Sequence, residues 1–311
     1  MIQNAELKGR IQDVRINARR ILEIAGRLAP ENGEECFDAD GGALLPGLHD
    51  HHIHLLSLAA SLESISCGPP EIMDLAALQS EIQSASNRLP DKTQWLRGSG
   101  YFESVAGDLD RHRLDALCPD RPIRIQHRNG SMWFLNSLAL EWIGLDYADA
   151  SRRPPPPPAG VERDASGRAT GRIFRLDDWL RDRLPAREEI QVTTVGSLLA
   201  SFGVTGITDA TPTNGPSEVN LFRKAQANGS LPQRLVIMGA QSLSGIESDS
   251  DLSIGAFKIL LDEPTLPNLD DLVESIRIAH SSHRTVAIHC VTRSEIHFAI
   301  AASFFSAGFP E

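Results

Sequence analysis

Two histidines in the stretch LPGLHDHHIHLL, His52 and His54, sit two residues apart, just after an apolar run and a Pro-Gly turn. In an extended strand that spacing places both imidazoles on one face. Two imidazoles at a strand end suit a divalent ion such as zinc. Asp50 shares their parity and His51 points the other way. The same spacing also fits a pair of exposed or core histidines. Farther along, Lys258 interrupts the apolar run GAFKILLDE. A buried ammonium is costly unless paired or neutralised, so Lys258 either lies on an exposed edge or meets a metal ion or an acid. His289 ends the apolar part of TVAIHCV. Alone it reads as structural; with the other positions it makes a convergent cluster.

These residues need elements to gather them. Residues 1–45 alternate loosely and carry Gly and Asn-Gly breaks, which predicts a small N-terminal β unit. GGALLPG predicts an apolar strand beginning at Ala43, with the histidines at its C-terminal end. MDLAALQSEIQSASNRL predicts an amphipathic helix through Leu75, Leu78 and Ile82. WLRGSGYFE and RPIRIQHRNG read as strands, and FLNSLALEWIGL as a helix. The prolines from Pro154 to Pro158 predict a stiff spacer in a surface loop. Then helix and strand patterns alternate, from EEIQVTTVGSLLASFG and GVTGITDA to RTVAIHCV and SEIHFAIAASFFSAG. Such alternation implies parallel βαβ units, in which functional groups collect at the C-terminal strand ends.

The length of 311 residues suits one large α/β barrel with an accessory unit, and 41% hydrophobic residues supply its core. A net charge of -11 argues against nucleic acid or an anionic membrane as the main partner and favours a soluble protein, without identifying a ligand; the partner expected is a small-molecule substrate. MIQNAELKGRIQD lacks the apolar core of a signal peptide, and no apolar run is long enough for a bilayer. Cys36, Cys67, Cys118 and Cys290 form no C-x-x-C pair, so the expectation is four free thiols in a reducing cytoplasm. A homo-oligomer is left open.

The stretch from Leu44 to Leu55 resembles the first barrel strand of the amidohydrolase superfamily, whose usual form is an apolar run, Pro-Gly, then D-x-H-x-H. GVTGITDA, FKILLDE and VAIHCVTRSEIHFAIAA resemble its later strands. WLRGSGYFE, NSLAL and DASGRATG resemble the branch that includes N-substituted formamide deformylase. The resemblance implies a TIM-barrel-like α/β fold over residues 46–311, with a long insertion at 60–200 and a β-sandwich begun by residues 1–45. It implies that His52 and His54 hold one divalent metal, that a carbamate on Lys258 bridges two, and that His289 binds the second. Asp50 would support a ligand histidine. A metal-bound hydroxide would attack an amide or other C–N bond.

The chain departs from that pattern in several places. Five of eight barrel strands are recognisable, and no residue after His289 matches the family's sixth-strand histidine or its eighth-strand proton-shuttle aspartate; His297 lies within a helical run. The expectation is therefore a barrel incomplete at its C-terminus, part of a longer parent chain. The competing expectation is a truncated, non-catalytic relative that binds metal weakly or acts by association. The same chemistry would also serve deamination or ester hydrolysis. Asn129-Gly130-Ser131 stands where the branch often has Asp-Gly-His, and Val291-Thr292-Arg293 where it often has Gly-Asp. Arg172 and Arg175, in GRIFRLDD, are candidates to face an acidic substrate, or to be solvated.

Overall fold

A computed structural model describes residues 1–18, 20–146, 158–184 and 192–307. Of the expected proline spacer, Pro154 to Pro157 lie outside the described residues. Strands β1 (Ile2–Leu7) and β2 (Arg10–Asn17) form an antiparallel hairpin. Its two turn residues, Lys8 and Gly9, both take positive φ, 51° and 80°, which matches the right-handed twist of the strands. Strand β3 (Arg20–Ala25) continues the sheet, and β4 (Phe37–Asp38) pairs in parallel with β1.

Asp13 is buried in this sheet and accepts backbone N–H groups from Leu28 at 2.8 Å and Asn4 at 2.9 Å. Those two bonds, Leu28's first, hold its carboxyl below the usual range. A depressed carboxyl stabilises the fold above its unfolded pKa, and that contribution is lost as pH falls through the lower folded value. Asp13→Asn is therefore expected to flatten the acid limb of stability below about pH 4, read as the urea midpoint against pH.

The apolar run before the histidines divides between two sheets. Leu44 N–H donates to Glu6 and Glu6 N–H donates to Gly42, so residues 42–44 belong with the N-terminal sheet. The barrel strand β5 is Leu48–Ile53 and does not begin at Ala43. Pro46 lacks an N–H, and Gly47 passes Thr205 so closely that a Cβ would sit 2.1 Å from its Oγ1. The Pro-Gly pair is thus the crossing point.

After helix α1 (Leu55–Leu62) comes a second unit, built on a six-stranded sheet: β6 (Ile65–Ser66), β7 (Leu96–Tyr101), β8 (Ile123–His127), β9 (Met132–Leu135), β10 (Val161–Arg163) and β11 (Ala169–Phe174). Helix α2 (Leu75–Arg88), with Asp74 as N-cap, buries Leu78 and Ile82 against Ile123 and Ile125, whereas Leu75 is exposed. The short helix α3 (Glu103–Ala106) and α4 (Arg111–Leu117) share that core through Val105 and Leu114, while α5 (Ser137–Trp142) and α6 (Asp177–Arg181) pack elsewhere around Trp133 and Ile173.

Helix α7 (Val192–Ser201) falls inside the expected insertion by number, yet Val195 and Leu199 pack with Leu55, Ile207 and Phe222 in the core of the parallel sheet. That sheet is completed by β12 (Val204–Asp209), α8 (Pro216–Ala227), β13 (Arg234–Gly239), β14 (Leu252–Leu260), α9 (Leu269–Ser281), β15 (Val286–His289) and α10 (Arg293–Ser306). Its order is β5-β12-β13-β14-β15, every pair parallel. Helices cover one face through two apolar clusters, one around Ile207 and Phe222, the other around Leu272 and Ile276. The opposite face is the concave side of a partial barrel.

Candidate functional site

Four of the expected residues lie at or near the C-terminal ends of the parallel strands. His52 lies near the end of β5, and His54 is the N-cap of α1. Their rings stand 5.4 Å apart, edge to face. Lys258 lies on β14 opposite Ala287 of β15, and His289 follows two residues on, opposite Leu260. Ile259, Val286 and Ile288 pack against the helices, so alternation turns Lys258 and His289 to the concave face.

The His54 ring feels the charge of the other three. Loss of hydration around the ring lowers its pKa; Asp209 opposes this, while the charges of His52, Lys258 and His289 lower it further. Lys258 is buried, and burial lowers its pKa, with Cys290 opposing. Among the described residues no acid forms an ion pair with Lys258. The expected exposed-edge alternative is therefore not what this strand adopts.

The i, i+2 parity of the β5 histidines holds, although the pairing of the strand is irregular. Asp50 is opposite Ile207 and Ile53 opposite Asp209, so three residues span the interval that two span on β12. His51 stands beside His49, with rings 4.5 Å apart, on the face opposite His52 as alternation requires. Asp50 does not hold an imidazole: its Oδ1 accepts the backbone N–H of His52 at 2.9 Å. It shapes the strand end, a different contact from the expected one.

Two supporting residues escaped the sequence reading. Thr211 Oγ1 lies 3.0 Å from His54 Nδ1, leaving Nε2 as that ring's remaining donor atom. Asp209 is fully buried and accepts from Leu55 N–H, Thr211 N–H and the Asn214 amide at 2.9, 2.9 and 3.0 Å. It links the ends of β5 and β12. The available signal was an acid at the end of the strand pattern GVTGITDA.

The second unit reaches the rim. Arg175 pairs with Asp262, just beyond β14, and Arg172 bonds the Leu109 carbonyl at 2.7 Å and Glu162 at 3.4 Å. Both arginines thus have carboxylate partners within the protein. A separate cleft of about 390 Å³ is lined by Arg111, Asp115, Ser137, Glu141, Asp146 and Arg168, with no residue of the parallel sheet in its wall. All four cysteines are free, and burial pushes the Cys67 thiol up to about 12. Among the described residues no helix is long and apolar enough to cross a membrane.

Comparison with known proteins gives this arrangement a family. Residues 35–309 match the model of the "Amidohydrolase family". N-substituted formamide deformylase of Arthrobacter pascens is 28% identical over 223 residues, 68% of this chain and 39% of that protein. YtcJ of Bacillus subtilis, named as an amidohydrolase, is 34% identical over 157 residues, 47% of this chain and 26% of its own. The matched regions thus span well under half of these relatives. Two crystal structures of uncharacterized metal-dependent hydrolases share the fold. The one from Pyrococcus horikoshii has a TM-score of 0.63 at 18% identity, covering 89% of this chain and 59% of that one. The one from Pyrococcus furiosus has a TM-score of 0.61 at 18% identity, covering 88% and 61%. With the match running over most of its length, from before the first barrel strand to the last helix, the chain belongs to the amidohydrolase family.

Proposed function

We propose that this chain carries the metal-binding half of a hydrolase for amide or other C–N bonds, with His52, His54, Lys258 and His289 as ligands. The reading rests on the placing of His52 and His54 at the end of β5, 5.4 Å apart, and of Lys258 and His289 on the concave face of β14 and β15. The donor set fits a divalent ion, with zinc favoured by its imidazoles. Among the described residues no three His, Cys, Asp or Glu side chains form a ready-made metal-binding group. A carbamate on Lys258 would add an oxygen ligand to the imidazoles of His52 and His54. Burial lowers the pKa of Lys258, and the neutral amine is the form that adds carbon dioxide and releases a proton to give a carbamate.

A divalent ion held there would acidify water and polarise a substrate carbonyl. The chain's own groups prepare the place. Thr211 holds the His54 ring through Nδ1, Asp50 holds the backbone of His52, and Lys258 is buried within β14. A substrate with a C–N bond is supported by the deformylase relative.

The test is elemental analysis of protein reconstituted with zinc and bicarbonate, together with a screen of N-formyl and N-acyl compounds. Lys258→Ala is expected to lose bound metal and any hydrolysis. Equal metal content in wild type and Lys258→Ala would refute the ligand set. Thr211→Val is expected to weaken zinc binding by about 10- to 100-fold, the usual cost of removing a partner of a ligating histidine, as read by chelator competition.

A further inference from the structure

Lys258 has an unusual problem of direction. Leu252 and Ile254 on β14 face the helices, packed with Ile237 and Leu235. Strict alternation would send Ala256 and Lys258 the same way, into the apolar layer beneath α9 and α10. The strand avoids this. Ile237 is opposite Ile254, but Gly239 is opposite Phe257, so three steps on β14 match two on β13. One extra residue in the interval of Gly255 and Ala256 reverses the alternation. Beyond it Ile259 and Leu261 face the helices, and Lys258 turns to the histidines.

Among the described residues one long side chain is fastened to that interval. Arg284, just before β15, is buried at 7% exposure. Its guanidinium donates to Gly255 O at 3.2 Å and Ala256 O at 3.0 Å on the irregular segment. It also donates to Ala240 O at 2.7 Å and Gly239 O at 3.3 Å at the end of β13. Its Cζ lies 6.0 Å from the Phe257 ring centroid. A planar fork with five N–H donors can hold four carbonyls at once; an ammonium with three cannot.

We propose that Arg284 is the positioning residue for Lys258: it locks the extra residue of β14 in place and so aims the lysine at His52, His54 and His289. The geometric part stands on the strand register alone; its consequence for metal binding rests on the function proposed above. The chain has four lysines, Lys8, Lys92, Lys224 and Lys258, so peptide mapping resolves each one.

The experiment is timed reductive methylation of metal-free protein, with Lys92 as internal reference and zinc content measured in parallel. Arg284→Met is expected to raise Lys258 labelling relative to Lys92 at least tenfold, because the segment loses its anchor and the amine no longer rests in its buried place. Arg284→Lys, which keeps the charge and loses the fork, is expected to show a smaller rise and serves if Arg284→Met fails to fold. Leu272→Ala, in the core beneath β14 and outside the proposed ligands, is the control for stability loss alone; its labelling ratio is expected to stay near wild type. An unchanged ratio in a folded Arg284 variant, or an equal rise in Leu272→Ala, would overturn the positioning role. A raised ratio with undiminished zinc would support the positioning role and overturn the metal assignment instead.

Discussion

Asp209→Ala is expected to cost about 4 kcal/mol of stability, since it leaves three donors in the interior without their acceptor and an orphaned buried donor costs roughly 1–3 kcal/mol. The donors are Leu55 N–H, Thr211 N–H and the Asn214 amide, and the carboxylate that serves them is completely buried. Two belong to backbone at the ends of neighbouring strands, so neither can turn away to find water without opening the sheet. Asp209→Asn separates hydrogen bonding from shape. Its remaining oxygen can keep Thr211 and Asn214, but an NH₂ then faces Leu55 N–H, and the expected cost is about 2 kcal/mol. The order wild type, Asn, Ala in urea midpoint by far-UV circular dichroism checks the argument. Equal midpoints for all three would mean that the strand ends are held by packing alone. Because Thr211 also contacts the His54 ring, both variants are expected to weaken zinc binding along with the fold.

This carboxylate also shows which parts of the site the sequence makes visible. His52, His54, Lys258 and His289 can be picked out because each ends or interrupts an apolar strand, and parallel strands deliver their C-terminal ends to one place. The type and order of the parallel strands follow from the alternating patterns for the same reason. What cannot be read is the irregular backbone between them. The contact made by Asp50 sits beside one such register shift in β5, and the polar run HDHH offers no apolar period to reveal it. Gly255, alone inside a strand pattern, was a signal of such a shift on β14. Asp209 stayed hidden because its partner Leu55 lies 154 residues away. The start of β5 at Leu48 was hidden in a different way: one apolar run feeds two sheets, and only the pairing of Leu44 with Glu6 reveals the division.

Arg121→Met is expected to cost about 4 kcal/mol, the range for breaking a buried, fully bonded charged group, and to act on the second unit. Arg121 is wholly buried. It donates to Ser86 Oγ and Ser86 O at 2.9 Å each, to Leu89 O at 3.0 Å, and to Asp91 O and Gln94 O at 3.2 Å each. Those acceptors are the last turn of α2 and the chain leading to β7, where carbonyls have no helical partner of their own. Methionine restores volume but no donor, so the segment must open to hydrate its carbonyls. Arg121→Lys keeps the charge with fewer donors in a different geometry, and about half the loss is expected. The four tryptophans, Trp95, Trp133, Trp142 and Trp179, all lie between β6 and α7, so their fluorescence reports unfolding of this unit. In urea the Arg121→Met fluorescence midpoint should fall well below wild type, with amide exchange quickened first across residues 86–95. A fluorescence midpoint unmoved by the substitution would show that α2 ends securely without the arginine. The proximity of Trp95 to that segment makes the readout local as well as global.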